Sequence, residues 1–261
     1  MIKENIMKED NNTLKIQYLN FDFDEEKKNT IYNVARNIIP KTFKESLNYR
    51  SEKSRLQTIL SKLIVIKNLK CNEDDIYFNK LKKPYVGNKN YFNISHSGDY
   101  IVYVESPSEI GIDIEKIDIR NSSIIDYACT DEEKEFINKY TSNINNDSEE
   151  KNDLLKQICI ENNVKEKFTY IWTIKESMFK SSGTEKSREP KAIVINNITE
   201  KISKYIDIYN NDKNMKFVSI TQTFDDKEYN IYSLQFLDYI ISVSAIQKYY
   251  AITLSDIKTV L

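Results

Sequence analysis

Three short segments between Tyr91 and Gly183 place the strongest constraint on how this chain can fold. They are Asn93–Gly98 (N-I-S-H-S-G), Gly111–Lys116 (G-I-D-I-E-K) and Trp172–Ser177 (W-T-I-K-E-S). The chain has one His, one Trp and four Gly, and the His, the Trp and two of the Gly lie inside these segments. In a chain so poor in Gly, each glycine is expected to meet a backbone requirement such as a positive φ or a close approach. We therefore predict that the three segments build one site.

Length and composition limit the class of protein. The 261 residues suffice for one large domain or two modest ones, and 38 basic and 40 acidic residues leave a net charge of −2. This charge creates no overall field toward nucleic acid or a membrane. No run approaches the roughly 18 apolar residues of a membrane span, and the first 12 residues are polar. Cys71, Cys129 and Cys159 are odd in number and widely spaced, which favours reduced thiols. We expect a soluble, cytoplasmic protein.

Hydrophobic periodicity predicts an α+β fold. Strands are predicted at Leu14–Phe23, Asp75–Phe78, Tyr91–Ile94, Asp99–Glu105, Ile110–Ile119, Ala192–Ile195, Met215–Thr223 and Tyr229–Ala245. Helices are predicted at Thr30–Ile39, Ser51–Leu69 and Val164–Ser181. Thr130 and Glu133 have the spacing of a capping box at a further helix start. Residues Thr141–Asp153 are polar and are expected to form an insertion.

One stretch of the sequence has an internal echo. Asp99–Val104 (D-Y-I-V-Y-V) resembles Asp238–Val243 (D-Y-I-I-S-V). Six residues of similarity between apolar strands also arise by chance. A genuine repeat would indicate two copies of one α+β unit, joined near Pro107.

Asp113 and Glu115 lie two residues apart on a predicted strand, so both carboxylates project from the same face. One interpretation is an amphipathic strand with its charged side in water. Gly111 on the same face weakens that interpretation, because glycine is depleted in strands without a local reason. Two neighbouring carboxylates repel each other unless a cation, a proton or solvent intervenes.

Glu176 lies on a predicted helix with Trp172 four residues before it and Lys180 four residues after it, so the three side chains share a face. A simple salt-bridged helix with a packed Trp is one interpretation. Together with Asp113 and Glu115, however, Glu176 would complete an all-oxygen site. Such a site suits Mg²⁺, which binds through one or two carboxylates plus substrate phosphates.

The turn Ser95–Gly98 offers hydroxyls and an imidazole at the end of a strand. The sequence has no G-x-S-x-G motif and no second His to support a Ser-His nucleophile, so an anion-binding turn is the more economical interpretation. Lys41, Lys44 and Arg55 are candidates for anion contacts, although taken alone they are better explained as a solvated basic surface. Neither a P-loop nor G-x-G-x-x-G occurs. The residues together indicate a Mg²⁺-dependent site for a phosphorylated or pyrophosphate ligand.

The three motifs, in their order and spacing from Lys83-Pro84 to Gly183, resemble those of the 4′-phosphopantetheinyl transferases of the larger, surfactin-synthetase-activating type. The resemblance implies two similar α+β lobes related by a pseudo-twofold axis, with an N-terminal lobe at 1–107 and a C-terminal lobe at 108–261 that carries the metal ligands. It also implies transfer of the 4′-phosphopantetheine arm of coenzyme A to a serine of an apo acyl or peptidyl carrier protein, with release of 3′,5′-ADP. With both lobes in one chain, we expect a monomer.

The resemblance also implies roles for individual residues. Asp113, Glu115 and Glu176 resemble the Mg²⁺ ligands, and Glu176 also resembles a base that helps deprotonate the serine. Lys180 resembles the lysine on the pyrophosphate. His96 joins Glu176 and Lys180 in the implied catalytic group.

A second set of residues resembles the coenzyme A site. Its implied members are Lys41, Lys44, Arg55, Lys83, Ser95, His96 and Lys180, with Lys41 and Lys44 matching only by spacing and position. The loop Gly183–Pro190 departs from the family, because it lacks a second Gly and a Leu.

Two alternatives to this enzyme stay open at the sequence level. One is a non-catalytic coenzyme A or carrier-binding paralogue, although binding alone would not require Asp113, Glu115, Glu176 and Lys180 together. The other is a different Mg²⁺-dependent phosphotransferase, which the missing phosphate loop disfavours.

Overall fold

A computed structural model describes the protein over residues 13–87, 91–118, 123–138, 152–184, 189–195 and 218–257. The strands are β1 (Thr13–Asn20), β2 (Ile76–Phe78), β3 (Pro84–Val86), β4 (Tyr91–Ser97), β5 (Tyr100–Ser106), β6 (Ile110–Lys116), β7 (Val218–Phe224), β8 (Lys227–Phe236), β9 (Tyr239–Ala245) and β10 (Ala251–Asp256). The helices are α1 (Glu25–Ile38), α2 (Pro40–Ser46), α3 (Glu52–Leu69), α4 (Ser123–Ala128), α5 (Asp131–Asn138) and α6 (Asn152–Ser182). The fold class is α+β, as predicted.

The first sheet has the strand order β10-β1-β5-β4, and β2 and β3 form a separate two-stranded ribbon. Strand β1 pairs antiparallel with β5 and parallel with β10. Helix α3 begins at an N-cap, where Ser51 accepts a hydrogen bond from the backbone N–H of Ser54. The apolar face predicted for this helix, including Leu56, Ile59 and Leu63, is buried against the sheet.

The second sheet has the strand order β6-β9-β8-β7, with every pair antiparallel. Helix α6 packs across β6 and β9. The two hydroxyls of Thr173 and Ser242 are 2.8 Å apart, and those of Ser177 and Ser244 are 2.7 Å apart. These short side chains bring the helix close to the sheet.

The two sheets share an apolar layer. Its buried members from the first sheet are Leu14, Ile16, Val102 and Val104, and those from the second are Ile110, Ile112, Ile114, Leu234, Ile241, Val243 and Ala245. Strands β4 and β6 run side by side in the same direction. Near the start of both strands, Asn93 Oδ1 accepts from the N–H of Ile112 at 2.8 Å, and at their ends Ser97 Oγ accepts from the N–H of Lys116 at 3.2 Å. The Ser-His segment and the carboxylate segment therefore lie next to each other.

The two copies of the sequence echo are strands β5 and β9. Each is an inner strand with antiparallel partners on both sides, β1 and β4 for β5 and β8 and β6 for β9. The boundary between lobes 1–107 and 108–261 stays a prediction. Strand β10, which comes from beyond residue 108, belongs to the first sheet.

Four sequence predictions require correction. Ala192–Ile195 is not a strand: Pro190 opens a 3₁₀ turn, and Ile193 and Ile195 are buried in a non-helical segment instead. Tyr229–Ala245 is a hairpin whose turn contains Leu237 at φ 55°, a residue that gives no turn signal. Helix α1 begins five residues earlier than predicted, at Glu25. Helix α6 begins at Asn152 rather than at Val164, so its first residues take up the end of the predicted insertion.

Some of the sequence predictions fall outside the described residues. They are the predicted insertion up to residue 151, the strand start at Met215 and part of the loop 183–190. Among the described helices, none is both long enough and apolar enough to cross a membrane.

Candidate active site

Asp113 on β6 is the centre of the candidate site. Its side chain is 3% exposed. Oδ1 accepts hydrogen bonds from the Ser95 hydroxyl at 2.9 Å and from the Lys180 ammonium at 2.6 Å. Oδ2 is buried and has no hydrogen-bond partner among the described residues. A buried carboxylate oxygen without a donor is unfavourable, so this atom marks a place where a ligand would be stabilising.

Glu115 lies two residues along the same strand, as the period of two predicts. Its Oε2 accepts from the Ser97 hydroxyl at 2.9 Å, and the side chain of Trp172 lies close enough to the Glu115 carboxylate to act against the rise of its pKa. Burial, followed by the negative charge of Asp113, raises the pKa of Glu115 to about 7. The two carboxylates therefore face the same side of β6 and repel each other.

Glu176 and Lys180 reach this face from helix α6. Burial raises the pKa of Glu176, and the charge of Asp113 adds to this effect. The close approach of the helix depends on Gly111, where an added Cβ would collide with the carbonyl oxygen of Ser177. The carboxylate of Glu176, the third of the predicted site, is therefore close enough to Asp113 for the charge of Asp113 to shift its pKa.

Ser95 and His96 contribute the β4 side of the site. Ser95 Oγ lies 2.9 Å from the Lys180 ammonium, so these two groups share Asp113. His96 keeps solvent access, but desolvation by the surrounding protein, followed by the charge of Lys180, lowers its pKa. The lowered pKa favours the neutral imidazole, which has only one ring N–H to donate.

Lys83 lies at the opposite end of β6 from Glu115. Its ammonium donates to the carbonyl oxygens of Ile110 at 3.2 Å and Ser181 at 3.3 Å, and burial lowers its pKa to about 8. It lines a cavity of 490 Å³ together with Tyr85, Tyr91, Ser182, Gly183 and other residues. The structure thus places Lys83 in a recess beside the end of α6.

Lys41, Lys44 and Arg55 lie in the helices of the N-terminal half. Lys41 is paired with Asp74, and Arg55 Nε donates to the carbonyl oxygen of Tyr49 at 3.0 Å. Among the described residues, no hydrogen bond or ion pair joins these three to Asp113 or Lys180. Helix α3, which carries Arg55, does contact the turn after Ser97, where Gln57 donates to the carbonyl oxygen of Gly98 at 3.4 Å.

Sequence reasoning missed two partners of Glu115, namely Ser97 and Trp172. The position of Ser97 could have indicated its role, because it shares a strand face with Ser95 and follows it by two residues. It also missed the pair Lys175–Glu133, in which both side chains are 1% exposed and the Nζ–Oε2 distance is 2.6 Å. The capping box was confirmed: Glu133 accepts from the N–H of Thr130 at 2.9 Å.

Whether these residues fit Mg²⁺ can be judged from their chemistry. No three His, Cys, Asp or Glu side chains come together in a metal-binding arrangement in the part of the chain that the structure describes. Lys180 supplies the positive charge beside Asp113 instead. The donor set nevertheless fits, since Mg²⁺ prefers carboxylate oxygens and Asp113 Oδ2 is buried without a donor from any described residue. A cation would also relieve the repulsion that raises the pKa of Glu115 and Glu176.

Comparison with known proteins identifies the class. A family model of the 4′-phosphopantetheinyl transferase superfamily matches residues 109–243, just over half of the chain. The chain belongs to this superfamily. It is also 30% identical over 146 residues to a protein named 4′-phosphopantetheinyl transferase gsp from Aneurinibacillus migulanus. The match covers 52% of this chain and 52% of that relative, so it spans about half the length of each.

Proposed function

We propose that this protein transfers the 4′-phosphopantetheine arm of coenzyme A to a serine of an apo carrier protein, releasing 3′,5′-ADP in a Mg²⁺-dependent reaction. The observation that carries the proposal is the state of Asp113. One of its oxygens is bound to the Lys180 ammonium, and the other is buried without a partner in the described part of the chain. Family membership and the name of the relative support the same activity.

Asp113, Glu115 and Glu176 would hold the metal. When bound, Mg²⁺ supplies a positive charge that neutralises and orients the pyrophosphate of coenzyme A. Burial, followed by the charge of Asp113, raises the pKa of Glu115 to about 7, so protons compete with the metal for this carboxylate below neutral pH. The pKa of Glu176 is raised by the same two causes.

Lys180, Ser95 and His96 would bind the phosphates. A lysine has three N–H donors, and Lys180 uses two of them for Asp113 and Ser95. The third remains for a phosphate oxygen. A bound phosphate would favour the protonated imidazole of His96, in which both ring nitrogens are donors.

Glu176 would act as the base for the carrier serine. Burial and the charge of Asp113 raise the pKa of Glu176 above its ordinary value. A carboxylate with a raised pKa is a stronger general base. The serine oxygen forms a bond to the β-phosphorus as its proton passes to Glu176. The bond from that phosphorus to the oxygen of 3′,5′-ADP breaks, and Lys180 stabilises the charge left on the leaving phosphate.

Lys83 and the N-terminal residues Lys41, Lys44 and Arg55 would bind the remainder of coenzyme A. Arg55 is supported by its helix, which contacts the turn after Ser97. Lys83 is supported by its place in the 490 Å³ cavity. All four lie outside the family match at 109–243, so these assignments rest on the sequence resemblance and their positions alone.

We also propose that the protein works as a cytoplasmic monomer. Ser95 from the first sheet and Asp113 from the second meet within one chain at 2.9 Å, so a second subunit is not needed to complete the site. Light scattering at working concentration should give the mass of one chain. An obligate dimer whose activity falls on dilution would contradict this.

The decisive test of the activity is to incubate the protein with coenzyme A, Mg²⁺ and an apo carrier protein, and to weigh the carrier by mass spectrometry. We expect a gain of one phosphopantetheine arm, which a chelator abolishes. An unchanged mass with several acyl and peptidyl carriers, while coenzyme A still binds, would instead support the non-catalytic binding paralogue.

A further inference from the structure

Tyr239 contacts Gly98 across the boundary between the two sheets. Gly98 has φ +56°, and a Cβ added there would overlap the hydroxyl oxygen of Tyr239 and lie 3.0 Å from its Cζ. The backbone conformation and the neighbouring phenol therefore both exclude a side chain at residue 98. The two-residue turn Gly98–Asp99, which follows the Ser-His-Ser segment, therefore packs closely against Tyr239.

The same phenol also faces the backbone of Asp99. Burial raises the pKa of Tyr239, whereas the Asp99 backbone acts to lower it. A backbone group that lowers the pKa of a phenol is an N–H directed toward its oxygen, so the phenol faces the N–H of Asp99. Tyr239 thus contacts both residues of the turn.

Tyr239 is itself held firmly in the second sheet. It pairs with Phe236 on β8 and with Lys116 on β6. Its ring packs edge-on against Tyr100 with the centroids 5.0 Å apart. The next residue of the chain after Lys116, Ile117, donates its N–H to Asp238 at 2.8 Å. The hydroxyl is therefore fixed relative to strand β6.

The other contacts of the turn come from the N-terminal half. Phe21 donates its N–H to the carbonyl oxygen of Asp99 at 2.9 Å, Lys53 pairs with the Asp99 carboxylate at 2.7 Å, and Gln57 donates to Gly98. Tyr239 adds a contact from the sheet that carries the carboxylates. Ser97, immediately before the turn, donates to Glu115 at 2.9 Å.

We propose that Tyr239 is a positioning residue, whose hydroxyl holds the Gly98–Asp99 turn so that His96 and Ser97 stay aligned with the carboxylates of β6. Its effect on coenzyme A rests on the proposed function. The contact itself depends only on the structure.

The first test compares Tyr239→Phe with Tyr103→Phe. Tyr103 is a matched control, because its hydroxyl bonds Glu105 at 2.9 Å within strand β5. Loss of one polar contact is worth up to roughly 10-fold, so Tyr239→Phe should raise the KM for coenzyme A by up to about that factor, with a smaller change in kcat. Tyr103→Phe should change neither. Amide hydrogen exchange at Asp99 should become faster in Tyr239→Phe alone.

The second test uses second-site rescue. Gly98→Ala should lose most of the transfer activity, and Gly98→Ala with Tyr239→Phe should regain part of it, because the overlapping oxygen is gone. A merely structural tyrosine would give the opposite result, with the double variant worse than either single variant. An unchanged coenzyme A KM and unchanged Asp99 exchange in Tyr239→Phe would overturn the inference, even if Gly98→Ala fails to fold. If the parent transfers nothing, the proposed function fails, while exchange at Asp99 still decides whether Tyr239 holds the turn.

Discussion

The ammonium of Lys180 lies 2.6 Å from Oδ1 of Asp113, whereas Oδ2 of the same carboxylate is buried and has no hydrogen-bond donor among the residues that the structure describes. This unequal use of the two oxygens means that a single lysine neutralises the carboxylate on one side only. A second cation can therefore approach without displacing the first. The remaining N–H of Lys180 is available for an anion that accompanies that cation.

Asp113→Asn should abolish most of the transfer activity. The amide keeps the shape and can still accept from Ser95, but it removes the charge that a cation requires. We expect turnover to fall on the order of 10²-fold or more, measured by carrier modification at saturating Mg²⁺. Asp126→Asn, at an exposed carboxylate paired with Lys134, should keep parental turnover. Near-parental turnover in Asp113→Asn would remove Asp113 from the site.

Glu176→Gln should separate activity from stability. Because burial and Asp113 raise the pKa of Glu176, its charge is unfavourable in the metal-free protein, and Gln should keep or increase the melting temperature. Turnover should nevertheless fall on the order of 10²-fold. Glu166 is the control, since burial also raises its pKa on the same helix. Glu166→Gln should keep turnover, and a loss of folding in both variants would assign these acids a structural role.

Glu115 should make the metal-free protein less stable as the pH rises. Its pKa is about 7 in the folded protein against an ordinary value of 4.5, so the folded state binds more protons between these values and stability falls with increasing pH. Relative to Glu115→Gln, the parent should lose on the order of 3 kcal/mol of unfolding free energy between pH 4.5 and 7. Denaturant titrations with a chelator measure this difference. A flat difference across this range would contradict the raised pKa.

Lys83 should make the protein more stable as the pH rises in the alkaline range. Burial lowers its pKa to about 8 from 10.5, so the unfolded state binds more protons in this range and stability rises with pH. The parent should gain on the order of 3 kcal/mol relative to Lys83→Met between pH 8 and 10.5. The slope of the difference is the measurement, because the hydrogen bonds lost in the variant shift only its offset. Parallel curves for the two proteins would show that Lys83 is not desolvated.

Lys175 and Glu133 should behave as one buried unit. Lys175→Met leaves the Glu133 carboxylate buried at 1% exposure, and such a change costs about 3–5 kcal/mol. Lys175→Met with Glu133→Gln should recover at least half of that loss, since no unpaired charge remains. Lys134→Met at the exposed pair with Asp126 should cost far less. Additive losses in the double variant, measured by denaturant unfolding, would show that the two residues act independently.

The strand and helix faces of the site could be predicted from the sequence because their periods are strict. Asp113 and Glu115 differ by two residues on a strand, and Glu176 and Lys180 by four on a helix. The contact between the faces could not be predicted in the same way, because it depends on tertiary packing. The ion pair of Lys180 with Asp113 and the role of Ser97 are both of this kind.

The predictions that proved wrong have separate physical causes. Leu237 occupies a left-handed turn position without being Gly, Asn or Asp. The sequence pattern therefore predicts one continuous strand in place of the hairpin of β8 and β9. Ile193 and Ile195 alternate with exposed Val194 because they fill the core beside α5 and α6, not because they join a sheet. Lys175 is buried, and both of its partners, the Glu133 carboxylate and the carbonyl oxygen of Ala128, lie far away in the sequence.

Gly111 has a consequence for engineering. Because a Cβ there would collide with main-chain atoms of Ser177 and Ser181, strand β6 and helix α6 meet backbone against backbone. Backbone atoms have no alternative rotamers, so the spacing of the two elements does not depend on how the surrounding apolar side chains are packed. The apolar core on either side can therefore be redesigned for stability. Any residue larger than glycine at position 111 would push helix α6 away from strand β6 and increase the distance between Glu176 and the carboxylates of β6.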